Sequence, residues 1–334
     1  MTGPDPAVAA VRRAVRRTLA ETPGGTLVLA AVSGGADSLA LLAALAFEGP
    51  RQRHRVGAVH VDHALQDGSA QVAARVVQQA KDLGVDVIEQ VTAPPEVRRP
   101  GEGPEAGARR ARYDALDGVA ERTEAGAVLL GHTLDDQAES VLLGLARGSG
   151  ARSLGGMPAQ RGRYHRPLLA VTRETTRRAC LAEGLAPWDD PTNSDTRLTR
   201  NLVRHDVLPH LEERLGPGVA AALARTADLL RADGDFLDGL VRGIWSECVL
   251  DPGPGERVVV AIPAVSALPT ALRTRVLHQA AVYAGVPGSQ LAAVHVWAMD
   301  DLVRHWHGQG PAALPGGLVA FRVRDRLVIA EPES

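Results

Sequence analysis

The chain reads as an α/β protein, with a parallel-sheet N-terminal domain over residues 1–216 and a smaller α+β domain over 217–334. Three observations predict this. Short apolar runs alternate with helical patterns over the first 150 residues, the rhythm of a parallel sheet covered on both faces. A polar, glycine-rich turn, Ser33-Gly34-Gly35-Ala36-Asp37-Ser38, joins the first apolar run to a Leu/Ala-rich one. The pattern then changes after Leu215-Gly216-Pro217-Gly218, where long helical stretches begin.

The elements follow in order. Residues 26–32 (TLVLAAV) read as a buried strand and Leu39–Phe47 as a helix. VGAVHVD (56–62) is a second strand, with a polar loop and a helix near 69–83 after it. VDVIEQV (85–91) is a third strand, and the proline- and glycine-rich 92–105 breaks regular structure. A helix over about 105–124, the short strand AVLLG (127–131) and a helix over about 134–147 complete the alternation. Residues 148–166 read as a Gly/Arg-rich loop, 170–185 as a helix and 186–196 as irregular. A helix over 198–215 is interrupted near Pro209. Helical patterns at 219–248, 268–285 and 289–306 precede two strands, LVAFRV and RLVIA, around Arg324-Asp325.

Composition excludes several classes. No run of 18 apolar residues occurs, so no membrane helix is expected. The N-terminus lacks the continuous apolar stretch of a signal peptide. Cys180 and Cys248 stand far apart without C-x-x-C spacing, which argues against a zinc site, an iron–sulfur site or a disulfide scaffold and suits the cytoplasm. The net charge of −2 announces no nucleic-acid partner, but its distribution is uneven. Eight arginines lie between Arg147 and Arg178 against one acid, Glu174, and a second basic stretch is RLTRNLVRH (197–205). Such clusters are either solvated faces or the footprint of a polyanion.

The turn at 33–38 sits where open α/β sheets bind ligands, at the carboxyl end of a strand beside a helix start. Glycines let the backbone approach closely and aim N–H groups at an anion, and the helix start adds partial positive charge. Ser33 and Ser38 offer hydroxyls. Neither G-x-x-x-x-G-K-[ST] nor G-x-G-x-x-G is present. Asp37 would repel a phosphate unless it holds Mg²⁺ that bridges to it. An ordinary capped helix is the plain alternative.

S-G-G-x-D-S after a first strand resembles the PP-loop of N-type ATP pyrophosphatases, Rossmann-like enzymes that cleave ATP to AMP and pyrophosphate. Further stretches narrow the resemblance: HVDHALQDGSA (60–70), EAGARRARYDAL (105–116), GHTLDDQAES (131–140), RGSGARSLGGMP (147–158), RPLL (166–169) and DPTNSDTRLTRNLVRHDVLPHL (190–211). Their shared order over roughly residues 25–215 is similar to that of the tRNA(Ile)-lysidine synthetases, in a short form with one small C-terminal domain. Ala64 and Gln66 depart from the family's usual Gly and Arg.

The resemblance implies a ligase. ATP adenylates O2 of the wobble cytidine (position 34) of the CAU-anticodon isoleucine tRNA, and the ε-amine of free L-lysine then attacks C2 and expels AMP. It implies an ATP site at Ser33, Gly34, Gly35, Ala36, Asp37, Ser38, Asp62 and His132, with Mg²⁺ on Asp37. Arg112, with Arg109 next, is the candidate for the charge on the leaving pyrophosphate, while Tyr113 beside them reads as packing. Asp136 and Glu139, one turn apart, would take the lysine ammonium, Asp136 being also a candidate general base; a dipole-complementing acid is the plain reading. Asp62 and His63 equally suit a loop cap. Asp37, Arg112, His132, Asp136 and Glu139 form the expected catalytic set, and Arg109, Arg147, Arg152, Arg200 and Arg204 the expected tRNA contacts, with the C-terminal domain also touching tRNA. The oligomeric state stays open, a homodimer among the options. Rival readings are a PP-loop tRNA thiolase, an amidating synthetase and a non-catalytic nucleotide-dependent tRNA-binding module.

Overall fold

The computed structural model describes residues 3–62, 69–92, 104–148 and 150–332; His63, Ala64 and Gln66 lie outside them. The chain divides into two compact units, Met1–Ser149 with Ser153–Asp228, and Gly150–Arg152 with Leu229–Ser334.

The first unit opens on a helix that the sequence reading did not place, α1 (Pro6–Ala20). Its signal is legible in retrospect: Val8, Val11, Val15 and Leu19 recur at helical spacing and are all buried, and Asp5 caps the N-terminus by accepting from the Ala7 amide at 2.7 Å. The alternation follows as expected: β1 (Leu27–Ala31), α2 (Ala36–Glu48), β2 (Arg55–Asp62), α3 (Ser69–Asp82), β3 (Val87–Thr92), α4 (Pro104–Arg122), β4 (Ala127–Leu130) and α5 (Leu134–Ala146). The stretch expected to be one long loop instead holds a turn of helix, α6 (Ala151–Leu154), and a hairpin of β5 (Gln160–Arg161) and β6 (Tyr164–His165). The sheet order is β3-β2-β1-β4-β6-β5, parallel except for β5.

Side-chain alternation along the strands builds two cores. Val28, Ala30, Val56, Ala58, Ala127 and Leu129 face α1, α2, α3 and α7 (Arg173–Ala182). Leu27, Leu29, Val59, Val128 and Leu130 face Leu116, Val119 and Ala120 of α4. The chain runs outward from β1 to β2 and β3, then returns to β4 on the other side, so a topological switch point lies between β1 and β4.

The helix expected over 198–215 is interrupted near Pro209, as expected. It divides into α8 (Thr199–Leu202), a π-helical turn (Val203–Val207) and α9 (Leu208–Leu215). The backbone stays helical through Val207 and Leu208, so Pro209 withholds an amide from a continuing helix, which suits the irregular turn just before it. Helix α10 (Val219–Cys248) follows as expected.

The second unit holds a five-stranded antiparallel sheet rather than two strands, in the order β7 (Val249–Leu250), β8 (Glu256–Ala261), β11 (Arg326–Ala330), β10 (Leu318–Val323), β9 (Ala312–Leu314). Helices α11 (Ile262–Ser266), α12 (Thr270–Tyr283) and α13 (Ala293–Arg304) contribute to its core around Leu277, Met299 and Leu302. A buried pair, Arg273 Nε to Asp300 Oδ1 at 2.5 Å, ties α12 to α13.

Candidate active site

The turn after β1 is shaped by its own side chains. Gly34 has φ +94°, a conformation that L side chains rarely adopt, and its carbonyl accepts from the Trp188 amide at 2.9 Å. The Ser38 hydroxyl donates to Gly35 O at 2.8 Å and accepts from the Ser33 amide at 3.2 Å. Ser38 therefore braces the loop instead of offering a free donor. After β4, a Cβ on Gly131 would stand 3.2 Å from the Ser38 amide nitrogen, so glycine lets the end of β4 close on the first turn of α2.

A cleft of about 570 Å³ opens over these two turns. Its walls include Ser33, Gly35, Asp37, Ser38, His132 and Asp136, six of the residues the sequence singled out. Asp62, Arg112 and Arg204 line it too. Sequence reasoning missed Trp188 and Asn193, which border it from the 186–196 segment. That segment is latched to α8 by buried Asn201, whose Nδ2 donates to Thr192 O at 2.8 Å and Asp195 O at 3.1 Å.

Carboxylates and three guanidiniums form an ion cluster beside the cleft. Asp136 is fixed by a capping box at the start of α5, its Oδ2 accepting from the Thr133 amide at 2.8 Å. Glu139, one turn on, has no solvent exposure. Arg204 Nε donates to Glu139 Oε1 at 2.8 Å, and Nη2 donates to Asp136 Oδ1 at 3.1 Å. Arg173 Nη2 donates to Asp136 at 3.0 Å and Glu139 at 3.1 Å. Arg200 donates to Ser140 Oγ at 2.7 Å and sets its Nε 3.3 Å from Glu139. Arg200 of α8 and Arg204 of the π turn thus both reach α5.

Arg173 and Thr176 carry no motif signal and were missed as site residues. Both come from the start of α7, and both reach Asp37: Thr176 Oγ1 hydrogen-bonds its carboxylate, and Arg173 Nε lies 3.7 Å away. Burial pushes Asp37 up to about 6, a rise that Thr176 and Arg173 only partly offset. Burial would also raise Asp136, but Arg173 and the Thr133 amide outweigh it and hold that carboxyl below its usual range. His132, its Nδ1 buried without a hydrogen-bond partner among the described residues, is lowered to about 4 by burial and by nearby arginines, so the imidazole is neutral at pH 7. Arg112 is lowered by burial and by Arg109.

Of the five arginines expected on RNA, Arg109 and Arg147 are exposed, while Arg200 and Arg204 turn toward Glu139. Arg152 pairs with Asp238. Among the described residues no group of three or more His, Cys, Asp or Glu side chains is arranged around a metal. Cys180 is buried and raised to about 11, so it is a poor thiolate at neutral pH and an unsuitable sulfur carrier. No helix among the described residues is long and apolar enough to cross a membrane.

A parallel sheet with an S-G-G-x-D-S turn at its switch point, facing a second acidic turn, defines a PP-loop nucleotide-using enzyme. Residues 9–211 match the family model described as a PP-loop domain, and residues 261–328 the one described as a TilS substrate binding domain. The solved U34-tRNA thiolase NcsA of Methanococcus maripaludis, with its [4Fe-4S] cluster, shares the fold. Its TM-score is 0.56 at 19% identity, over 67% of this chain and 80% of that one. The chain belongs to the tRNA(Ile)-lysidine synthase family. It is 49% identical to the tRNA(Ile)-lysidine synthase of Thermobifida fusca over 99% of both chains. It is 49% identical to that of Streptomyces coelicolor, over 98% of this chain and 99% of that one, and 51% identical to that of Leifsonia xyli, over 87% and 86%.

Proposed function

We infer that this chain is an ATP-using ligase that joins free L-lysine to C2 of the wobble cytidine of the CAU-anticodon isoleucine tRNA, releasing AMP and pyrophosphate. Its family membership supports ligation on tRNA. The observation that carries the residue roles is that Asp37 and Asp136 line one cleft, with Glu139 buried in the ion cluster that Asp136 shares.

In this reading the nucleotide phosphates lie over residues 33–38, whose helix start favours negative charge. The cytidine O2 attacks the α-phosphorus and the bond to pyrophosphate breaks; Arg112 meets the charge that develops on the leaving group. Neutral His132 offers a hydrogen bond rather than a charge. Asp37 suits Mg²⁺: it is a hard oxygen ligand, and burial disfavours its bare anion, so a cation held there would stabilise it. When bound, that ion would neutralise the phosphates. The ammonium groups of lysine are held by Asp136 and Glu139. Because Arg173 depresses its basicity, Asp136 serves better as an electrostatic anchor than as a proton acceptor. Arg109 and Arg147 are the exposed candidates for tRNA phosphates.

Incubation with ATP, Mg²⁺, radiolabelled lysine and bulk tRNA, followed by nucleoside analysis, tests the reading. Label in one modified cytidine is expected, and Asp37→Ala should abolish both the label and AMP release. Label elsewhere, or full activity in Asp37→Ala, overturns it.

A further inference from the structure

Beside the ion cluster lies a second group of cations with a different character. Arg166 is 4% exposed, yet among the described residues it makes no ion pair. Its Nη1 donates to Pro158 O at 3.0 Å and its Nη2 to the Tyr113 hydroxyl at 3.1 Å, while Nε is buried without a hydrogen-bond partner among the described residues. Arg109 Nη2 donates to the same hydroxyl at 3.4 Å. A buried guanidinium held only by neutral oxygens is costly unless an anion approaches it.

Tyr113 lines the cleft together with Arg112 and His132. Its ring meets Tyr164 edge-on at 4.8 Å, and the Tyr164 hydroxyl donates to Asp117 at 2.8 Å. The phenol oxygen already accepts two guanidinium N–H groups. Its own proton is the hydrogen-bonding function left over, and no acceptor for it is found among the described residues.

We propose that the Tyr113 hydroxyl donates a hydrogen bond to a phosphate oxygen bound in this cleft, and that Arg166 is the positioning residue that aims it. The inference rests on the nucleotide-site reading above and adds a donor to it. Arg112 and His132 in the same wall make the nucleotide's diphosphate the favoured source of that oxygen, and an RNA backbone phosphate would present the same chemistry.

The experiment measures binding of inorganic pyrophosphate, of ATP and of the tRNA transcript to the full chain and to Tyr113→Phe, Arg166→Lys and the double variant. A hydrogen bond to a charged group predicts that Tyr113→Phe weakens pyrophosphate and ATP about tenfold. Arg166→Lys should weaken them similarly, and the double variant should lose no more than the worse single one, because Arg166 acts through Tyr113. If tRNA affinity falls instead while pyrophosphate binding holds, the donor stands and the phosphate is the RNA's. Unchanged binding of all three ligands in Tyr113→Phe overturns the donor, even if Arg166→Lys fails to fold. Additive losses in the double variant overturn the positioning role. Undiminished AMP release by Asp37→Ala would instead sink the nucleotide-site reading itself, so the two failures are distinguishable.

Discussion

Arg204→Ala is the sharpest test of the ion cluster. The guanidinium donates at 2.8 and 3.1 Å to Glu139 and at 3.1 Å to Asp136. Removing one partner of a buried ion pair costs about 3–5 kcal/mol, since the other charge stays buried. Two features place this case at the low end. Arg204 retains 20% side-chain exposure, and Glu139 keeps Arg173 and Arg200. We expect a loss of about 3 kcal/mol, which for a unit of this size lowers the midpoint by about 6–12 °C. Calorimetry of the wild type, Arg204→Ala, Glu139→Gln and the double variant gives the coupling directly. Contacting charges should couple by about 1.5–3 kcal/mol. A midpoint change under 2 °C, with additive singles, would refute the reasoning. It would mean that Arg204 is a solvated cation, and then Arg204→Ala should instead flatten the salt dependence of tRNA binding.

Other outcomes follow from the same geometry. Burial raises Asp37 from 3.8 to about 6, so its ionised form destabilises the folded chain above pH 6 and the effect vanishes below about pH 4. Asp37→Asn should thus raise the unfolding midpoint at pH 8, leave it unchanged near pH 4 and lose AMP formation at both; a lower midpoint at pH 8 contradicts the assignment. Asp136→Asn should raise the KM for lysine more than that for ATP, and equal effects in steady-state kinetics would move the lysine site elsewhere. Arg109→Ala and Arg147→Ala should each reduce the slope of log affinity for tRNA against log salt by roughly 0.7–0.9 if the residue meets a phosphate. Unchanged slopes would make both plain surface cations.

The sequence by itself determined the sheet, the turn after β1 and the acid pair on α5, because each is local. Strand–helix alternation, a glycine-rich turn and carboxylates three residues apart are all written within a few turns of chain. The structure adds that Ser38 closes the turn at 33–38, again a local device. What only the tertiary structure decided is which groups answer those charges. Arg173 meets Asp136 and Glu139 across 37 and 34 positions, Arg204 meets Glu139 across 65, and Thr176 meets Asp37 across 139. No periodicity encodes contacts at such separations; packing of α7 against α1 and α2, and the π turn after α8, creates them. The sequence showed Arg200 and Arg204 as part of a basic stretch. Two of those charges turn inward because Glu139 has no solvent exposure, and a buried carboxylate needs cations from whichever elements the fold brings near it.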